Sequence, residues 1–144
     1  MTIAELLDRI LQASSVSPSP AVPDRRPLYG YVASEPQLDE LRRLVAVGLS
    51  RRESPTKILA AGFCLAAARW LGSLEDRQVT WERLWTEGFG LQPLEVQLRE
   101  PLLTLGMRYW QRPIVRLSTN RYLSTLYVEG GLATKLLAEP GNPL

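Results

Sequence analysis

This sequence predicts a mainly α-helical domain, a compact multi-helix bundle around a central apolar helix over residues 55–71. Three observations predict it. Apolar residues recur at helical intervals in the first fifty positions, and the run Ile58–Leu71 is apolar on nearly every side. Helix-capping residues stand at the head of these stretches. The chain has 144 residues, 45% hydrophobic and 22% charged, enough to bury a core without disulfide staples.

Residues 1–13 form the first predicted helix. Thr2 and Glu5 have capping-box spacing, and Ile3, Leu6, Leu7, Ile10 and Leu11 share one face. Residues 14–33 then read as a linker or arm, because Ser14, Ser15, Ser17 and Ser19 alternate with Pro18, Pro20, Pro23 and Pro27. The helical domain proper is expected over 34–144. It opens with Ser34 and Gln37 at capping-box spacing, Pro36 in the first turn, and the inner stripe Leu38, Leu41, Val45 and Leu49.

Ser54 as N-cap and Pro55 at the first helical position are expected to start the central helix, with Gly72 closing it. Its small residues, Ala60, Ala61, Gly62, Ala66, Ala67 and Ala68, allow neighbours to approach closely. Thr80 is expected to cap a short helix carrying Trp81, Leu84 and Trp85, broken by Gly88-Phe89-Gly90. A helical turn or two over 93–99 gives way at Pro101 to a helix over 101–112, stopped by Pro113. Residues 121–128 read as a helix capped by Asn120. A short β-hairpin over 114–127, turning at Ser118-Thr119-Asn120, is the competing reading. Gly130-Gly131 then precedes a last short helix, 132–138, and a Pro/Gly-rich exit.

The residue inventory excludes several chemistries. There is no histidine, so imidazole acid–base and nucleophilic triads are absent, and the single Cys64 supplies neither a zinc knuckle nor an internal disulfide. No phosphate-binding glycine loop is present; Gly88-Phe89-Gly90 and Gly130-Gly131 read as helix breaks. The adjacent acids Asp39-Glu40 and Glu75-Asp76 read as solvated surface, while Glu100 and Glu129 suit capping or pairing with Arg108, Arg112, Arg116 or Arg121. No catalytic residue, metal or cofactor is expected. The N-terminus lacks a signal-peptide pattern and the longest apolar run is too short to span a bilayer, so a cytoplasmic setting without membrane contact is expected.

What remains for function is arginine and aromatic surface. Of 17 basic residues only Lys57 and Lys135 are lysine, and the net charge is +2. Arg42, Arg43, Arg51 and Arg52 form one cluster, and Arg108, Arg112, Arg116 and Arg121 a second, with Arg108 and Arg112 spaced to share a helix face. Trp81 and Trp85 join them as candidate partner contacts, since Trp and Arg dominate interface hot spots. The same aromatics read equally as core, and each charge cluster as a solvated face. The leading expectation is a non-enzymatic protein-interaction or scaffold domain. The alternative is a nucleic-acid-binding module, for DNA or RNA, in which the two clusters meet as a phosphate-contacting patch.

Three segments together carry a resemblance. They are Ala66-Ala67-Ala68-Arg69-Trp70-Leu71 followed by Val79-Thr80-Trp81-Glu82; then Gly106-Met107-Arg108-Tyr109-Trp110-Gln111-Arg112-Pro113; then Arg121-Tyr122-Leu123-Ser124-Thr125-Leu126-Tyr127-Val128-Glu129-Gly130-Gly131-Leu132. Over roughly residues 35–138 this order resembles the N-terminal domain of large bacterial proteins of anti-phage defence islands, as in Druantia-like systems. Trp70 stands where that pattern has two aromatics, and Ala133 where it often has proline. The shared motifs are structural, so no functional residue is carried over. The resemblance implies a domain excised from, or homologous to, part of a larger protein. Its expected partner is then a separate protein or the remaining domains of that larger protein.

Overall fold

A computed structural model describes residues 1–15, 21–74, 79–115 and 121–131. These contain six α-helices and no strand. Helix α1 (Ile3–Ser14) begins where the Thr2 hydroxyl accepts the Glu5 amide. It buries Leu6, Leu7, Ile10 and Leu11 against α2 (Glu35–Ser50) and α3 (Lys57–Ser73). Ser14 ends it with a dual role: its hydroxyl donates to the Ile10 carbonyl and accepts the Val32 amide at 2.7 Å. The arm is thereby tied to the helix it leaves. Ser17, Pro18, Ser19 and Pro20 lie outside the described residues.

The Ser34–Gln37 capping box forms in both directions at the head of α2. The central helix starts later than the sequence predicted. Thr56, not Ser54, is the N-cap, accepting the Leu59 amide at 3.1 Å, and the helix continues through Gly72 to Ser73. Pro55 therefore precedes the helix and lies in the connecting turn. Ten residues of α3, including the unbroken run Ala60–Ala68, are buried, so the apolar-all-round segment is the centre of the domain.

Small residues set how closely its neighbours approach. A methyl added at Gly106 of α5 (Arg99–Trp110) would lie 2.5 Å from the Ala60 carbonyl oxygen and closer still to Cys64 Sγ. Gly130, just beyond α6 (Arg121–Glu129), abuts the Ala68 carbonyl in the same way. Backbone thus meets backbone along two flanks of α3, and α5 makes the most extensive of its contacts.

Thr80 caps α4 (Trp81–Arg83), which widens into a π-helical turn, Leu84–Gly88. A 3₁₀ turn, Val96–Leu98, leads directly into α5, so Pro101 sits in the first turn of that helix rather than opening it. Residues 112–115 are irregular and 121–129 helical, so the hairpin reading is corrected in favour of the helix. A continuous helix satisfies its backbone internally and leaves no ladder partner for residues 112–115. Residues 118–120, the predicted final helix and the exit lie outside the described residues.

Candidate functional site

The second arginine cluster does not form one face. Helix α5 ends at Trp110, and Gln111 adopts the left-handed conformation (φ 56°, ψ 43°). The Gln111 amide then donates to the Arg108 carbonyl and the Arg112 amide to the Met107 carbonyl, a Schellman closure without glycine. This turn swings Arg112 off the helix that the sequence assigned to it. Arg108 remains exposed on α5. Arg116 lies outside the described residues, and of Arg121 only the backbone is described.

Arg112 instead reaches Glu129, whose side chain is 2% exposed. Its Nε donates to both carboxylate oxygens at 3.1 and 3.0 Å, and its second terminal nitrogen lies 3.0 Å from Oε2. Glu129 Oε1 also accepts the Leu28 amide at 3.0 Å, while Arg112 donates to the Arg25 carbonyl at 2.9 Å. One buried carboxylate therefore joins the end of α6, the turn after α5 and the arm. Gln111 reinforces the junction by accepting from Arg25 Nε and donating to the Pro23 carbonyl. On the arm itself, the Arg26 guanidinium hydrogen-bonds Asp24 and holds its carboxyl down at about 2.

The aromatics sort into core. Trp81 is 5% exposed and Trp85 fully buried. Trp85 packs against Phe63, Trp81 and Phe89 at ring-centroid distances of 5.3, 5.6 and 6.2 Å. The Arg99 guanidinium covers the Trp81 ring at 4.8 Å. Trp110 Nε1 donates to the Ala61 carbonyl on α3 at 3.0 Å, so its polar edge is satisfied inside. Both candidate tryptophans are thus buried, Trp85 against Phe63 of α3 and Trp81 between Trp85 and the Arg99 guanidinium.

The first cluster divides in two. Arg42 pairs with Asp39 at 2.5 Å and donates to the Gly88 carbonyl, and Arg43 pairs with Glu40. These are one-turn pairs on α2, and they also account for the Asp39-Glu40 acids. Arg69, half-buried on α3, donates to the Tyr31 carbonyl at 2.7 Å, and burial lowers its pKa. It lines a cavity of about 70 Å³ with Arg42, Trp70, Asp39 and Glu35.

Arg51 and Arg52, by contrast, are exposed beyond the end of α2, as is Lys57 at the start of α3. Among the described residues none of these three cations has an ion-pair partner. Arg52 occupies the left-handed region (φ 56°), its amide donating to the Leu49 carbonyl at 3.2 Å. Beside it opens a cleft of about 370 Å³ whose lining includes Leu49, Pro55, Leu94 and Leu98 with Arg52, Glu53 and Glu95 at hand. Val96, on the same side segment, is 65% exposed. Sequence reasoning identified Arg51 and Arg52 but missed the cleft, whose second wall comes from residues forty positions downstream. The overlooked local signal was an arginine at the helix-end position that ordinarily takes glycine.

Among the described residues no group of three or more His, Cys, Asp or Glu side chains could hold a metal ion. None of their helices is long and apolar enough to cross a membrane. No solved structure matches the chain. Among curated proteins it is similar to "Protein YjiT" of Escherichia coli (strain K12), 35% identical over 123 residues. That alignment covers 81% of this chain but 23% of the relative, so the chain spans about a quarter of that protein's length. The model of the YjiT N-terminal domain matches residues 1–132. The chain therefore belongs to the YjiT N-terminal domain family.

Proposed function

We propose that this is a non-enzymatic docking domain, a scaffold or recognition piece whose partner is a protein, either separate or the remainder of a larger polypeptide. The observation that carries this reading is how the charged groups divide. Arg42, Arg43 and Arg112 are engaged within the fold, which breaks up the basic stripe that a nucleic-acid backbone would need. One open feature among the described residues is a cleft of mixed apolar and charged lining, the composition of a protein-binding site. The short relative coverage supports the view that the domain serves a longer protein.

A second reading, nucleic-acid binding, draws on Arg51, Arg52 and Lys57, which have no ion-pair partner among the described residues. Gel shift with single-stranded and duplex DNA and with RNA at two salt concentrations separates the two. Docking predicts no salt-sensitive shift, whereas neutralising several phosphates would make affinity fall steeply with salt. A steep salt dependence overturns the docking reading.

The resemblance to defence-island proteins supplies the setting: an anti-phage assembly in which other components perform the chemistry. Deleting this segment from its native gene and measuring phage plating efficiency tests it. Unchanged resistance across a phage panel would remove the defence role and leave the docking role standing.

A further inference from the structure

We infer that the face formed by α3, the turn after α5 and the end of α6 is a peptide-binding groove. This chain fills it with its own arm, residues 21–33, and a partner's extended segment with leucine and tyrosine three positions apart takes the same place. This rests on the docking reading and names its site and the chemistry of its partner. The arm is seated in the groove, so the chemistry of the occupant is read from the occupant itself.

Side chains come first. Leu28 is fully buried and Tyr31 is 2% exposed, its ring centroid 4.8 Å from that of Trp110 at the end of α5. The two bracket the 3₁₀ turn Leu28–Gly30, which packs on α3, and residues three apart on such a turn point the same way. Val22, Tyr29 and Val32 are exposed. Two anchors pointing in, with their neighbours pointing out, is how an extended peptide sits in a groove.

The main chain of the arm is held by side chains of the body. Gln111 donates to the Pro23 carbonyl, Arg112 to the Arg25 carbonyl and Arg69 to the Tyr31 carbonyl. Glu129 accepts the Leu28 amide, and the Ser14 hydroxyl accepts the Val32 amide. Among the described residues no main-chain hydrogen bond joins the arm to a helix. Contacts of this kind hold any extended backbone and leave specificity to the anchors. Arg69 makes the point most directly. It is half-buried on the central helix, and the Tyr31 carbonyl is its one hydrogen-bond partner among the described residues. Pro27 precedes the first anchor and limits the backbone freedom lost on seating, so the matching segment reads Pro-Leu-x-x-Tyr.

The test is complementation in trans. The whole chain carrying Leu28→Ala and Tyr31→Ala, whose arm lacks both anchors, is titrated with a labelled peptide of residues 21–33 and followed by anisotropy. The peptide should bind this variant and raise its melting temperature. If the variant is unfolded, the peptide should refold it, read by tryptophan fluorescence, since residues 21–33 contain no tryptophan. The wild-type chain should bind the peptide roughly a hundredfold more weakly, because its tethered arm competes at high effective concentration. Adding Arg69→Met to the variant should weaken binding roughly tenfold. A peptide with Val22→Ala and Tyr29→Ala should stay within about twofold. A peptide that neither binds nor refolds the variant overturns the groove. Equal binding to the wild-type chain, or undiminished binding by a peptide with Leu28→Ala and Tyr31→Ala, overturns it too. The gel shift reads the broader docking proposal separately, so the two fail independently.

Discussion

Replacing Arg112 by alanine removes the side-chain charge partner that the Glu129 carboxylate has among the described residues. The wild-type pair makes three close nitrogen–oxygen contacts of 3.0–3.1 Å, and among the described residues the carboxylate keeps only the Leu28 amide once the guanidinium is gone. Stranding a buried charge in this way costs about 3–5 kcal/mol. The lower end applies here, because the Arg112 side chain is 20% exposed and water can follow it in. We therefore expect Arg112→Ala to destabilise by about 3 kcal/mol and to lower the melting temperature by roughly 10 °C.

Urea unfolding monitored by tryptophan fluorescence is the assay, since Trp85 and Trp110 are fully buried and report the native core. Urea, unlike guanidinium, does not screen the pair. The cycle of Arg112→Ala, Glu129→Ala and the double variant should give a coupling of about 2 kcal/mol. Arg112→Met with Glu129→Met should stay within about 1 kcal/mol of wild type, because two apolar side chains leave no charge stranded. A loss under about 1 kcal/mol for Arg112→Ala, or additive single effects, would refute the junction as a stabilising element. Either result would return Arg112 to the list of surface contacts that the sequence suggested.

Two further outcomes follow from the packing around α3. Gly106→Ala should cost about 3 kcal/mol or more in urea unfolding. A Cys64→Ala background should restore little of it, since the Ala60 carbonyl is backbone and cannot rotate away; full rescue would contradict the close approach. Cys64 itself is fully buried, and burial pushes its thiol pKa up. Maleimide labelling should run roughly a thousandfold or more slower than in the unfolded chain. The unfolded thiol ionises above about pH 9 while the folded one resists, so the contribution of Cys64 is whole below that pH and is lost as pH rises beyond it. Cys64→Ala should remove this part of the alkaline decline, and an identical pH profile in the variant would disprove it.

Local signals carried much of the fold. The Thr2, Ser34 and Thr80 caps act on amides three residues away, and each was legible because such a bond needs nothing beyond its own turn. The helical periodicity of Leu6, Leu7, Ile10 and Leu11, and the uninterrupted apolar run of α3, likewise translated directly into burial. Where two local signals competed, the reading slipped: Ser54-Pro55 and Thr56 both suit a helix start, and only the path of the chain around the α2–α3 turn chose Thr56.

The candidate site was less legible, for a different reason. By itself the sequence determined the fold class, the absence of histidine, and that nearly all of its cationic side chains are arginine. It could not assign those arginines. Spacing placed Arg108 and Arg112 on one face, but a left-handed Gln111 ended α5 between them and sent Arg112 to a carboxylate seventeen positions away. Trp81 and Trp85 suited core and interface equally in the sequence, and the assembled structure buries both. Tertiary structure decided which cations were neutralised and which stayed free, because ion pairing and burial depend on neighbours that only the assembled helices bring together.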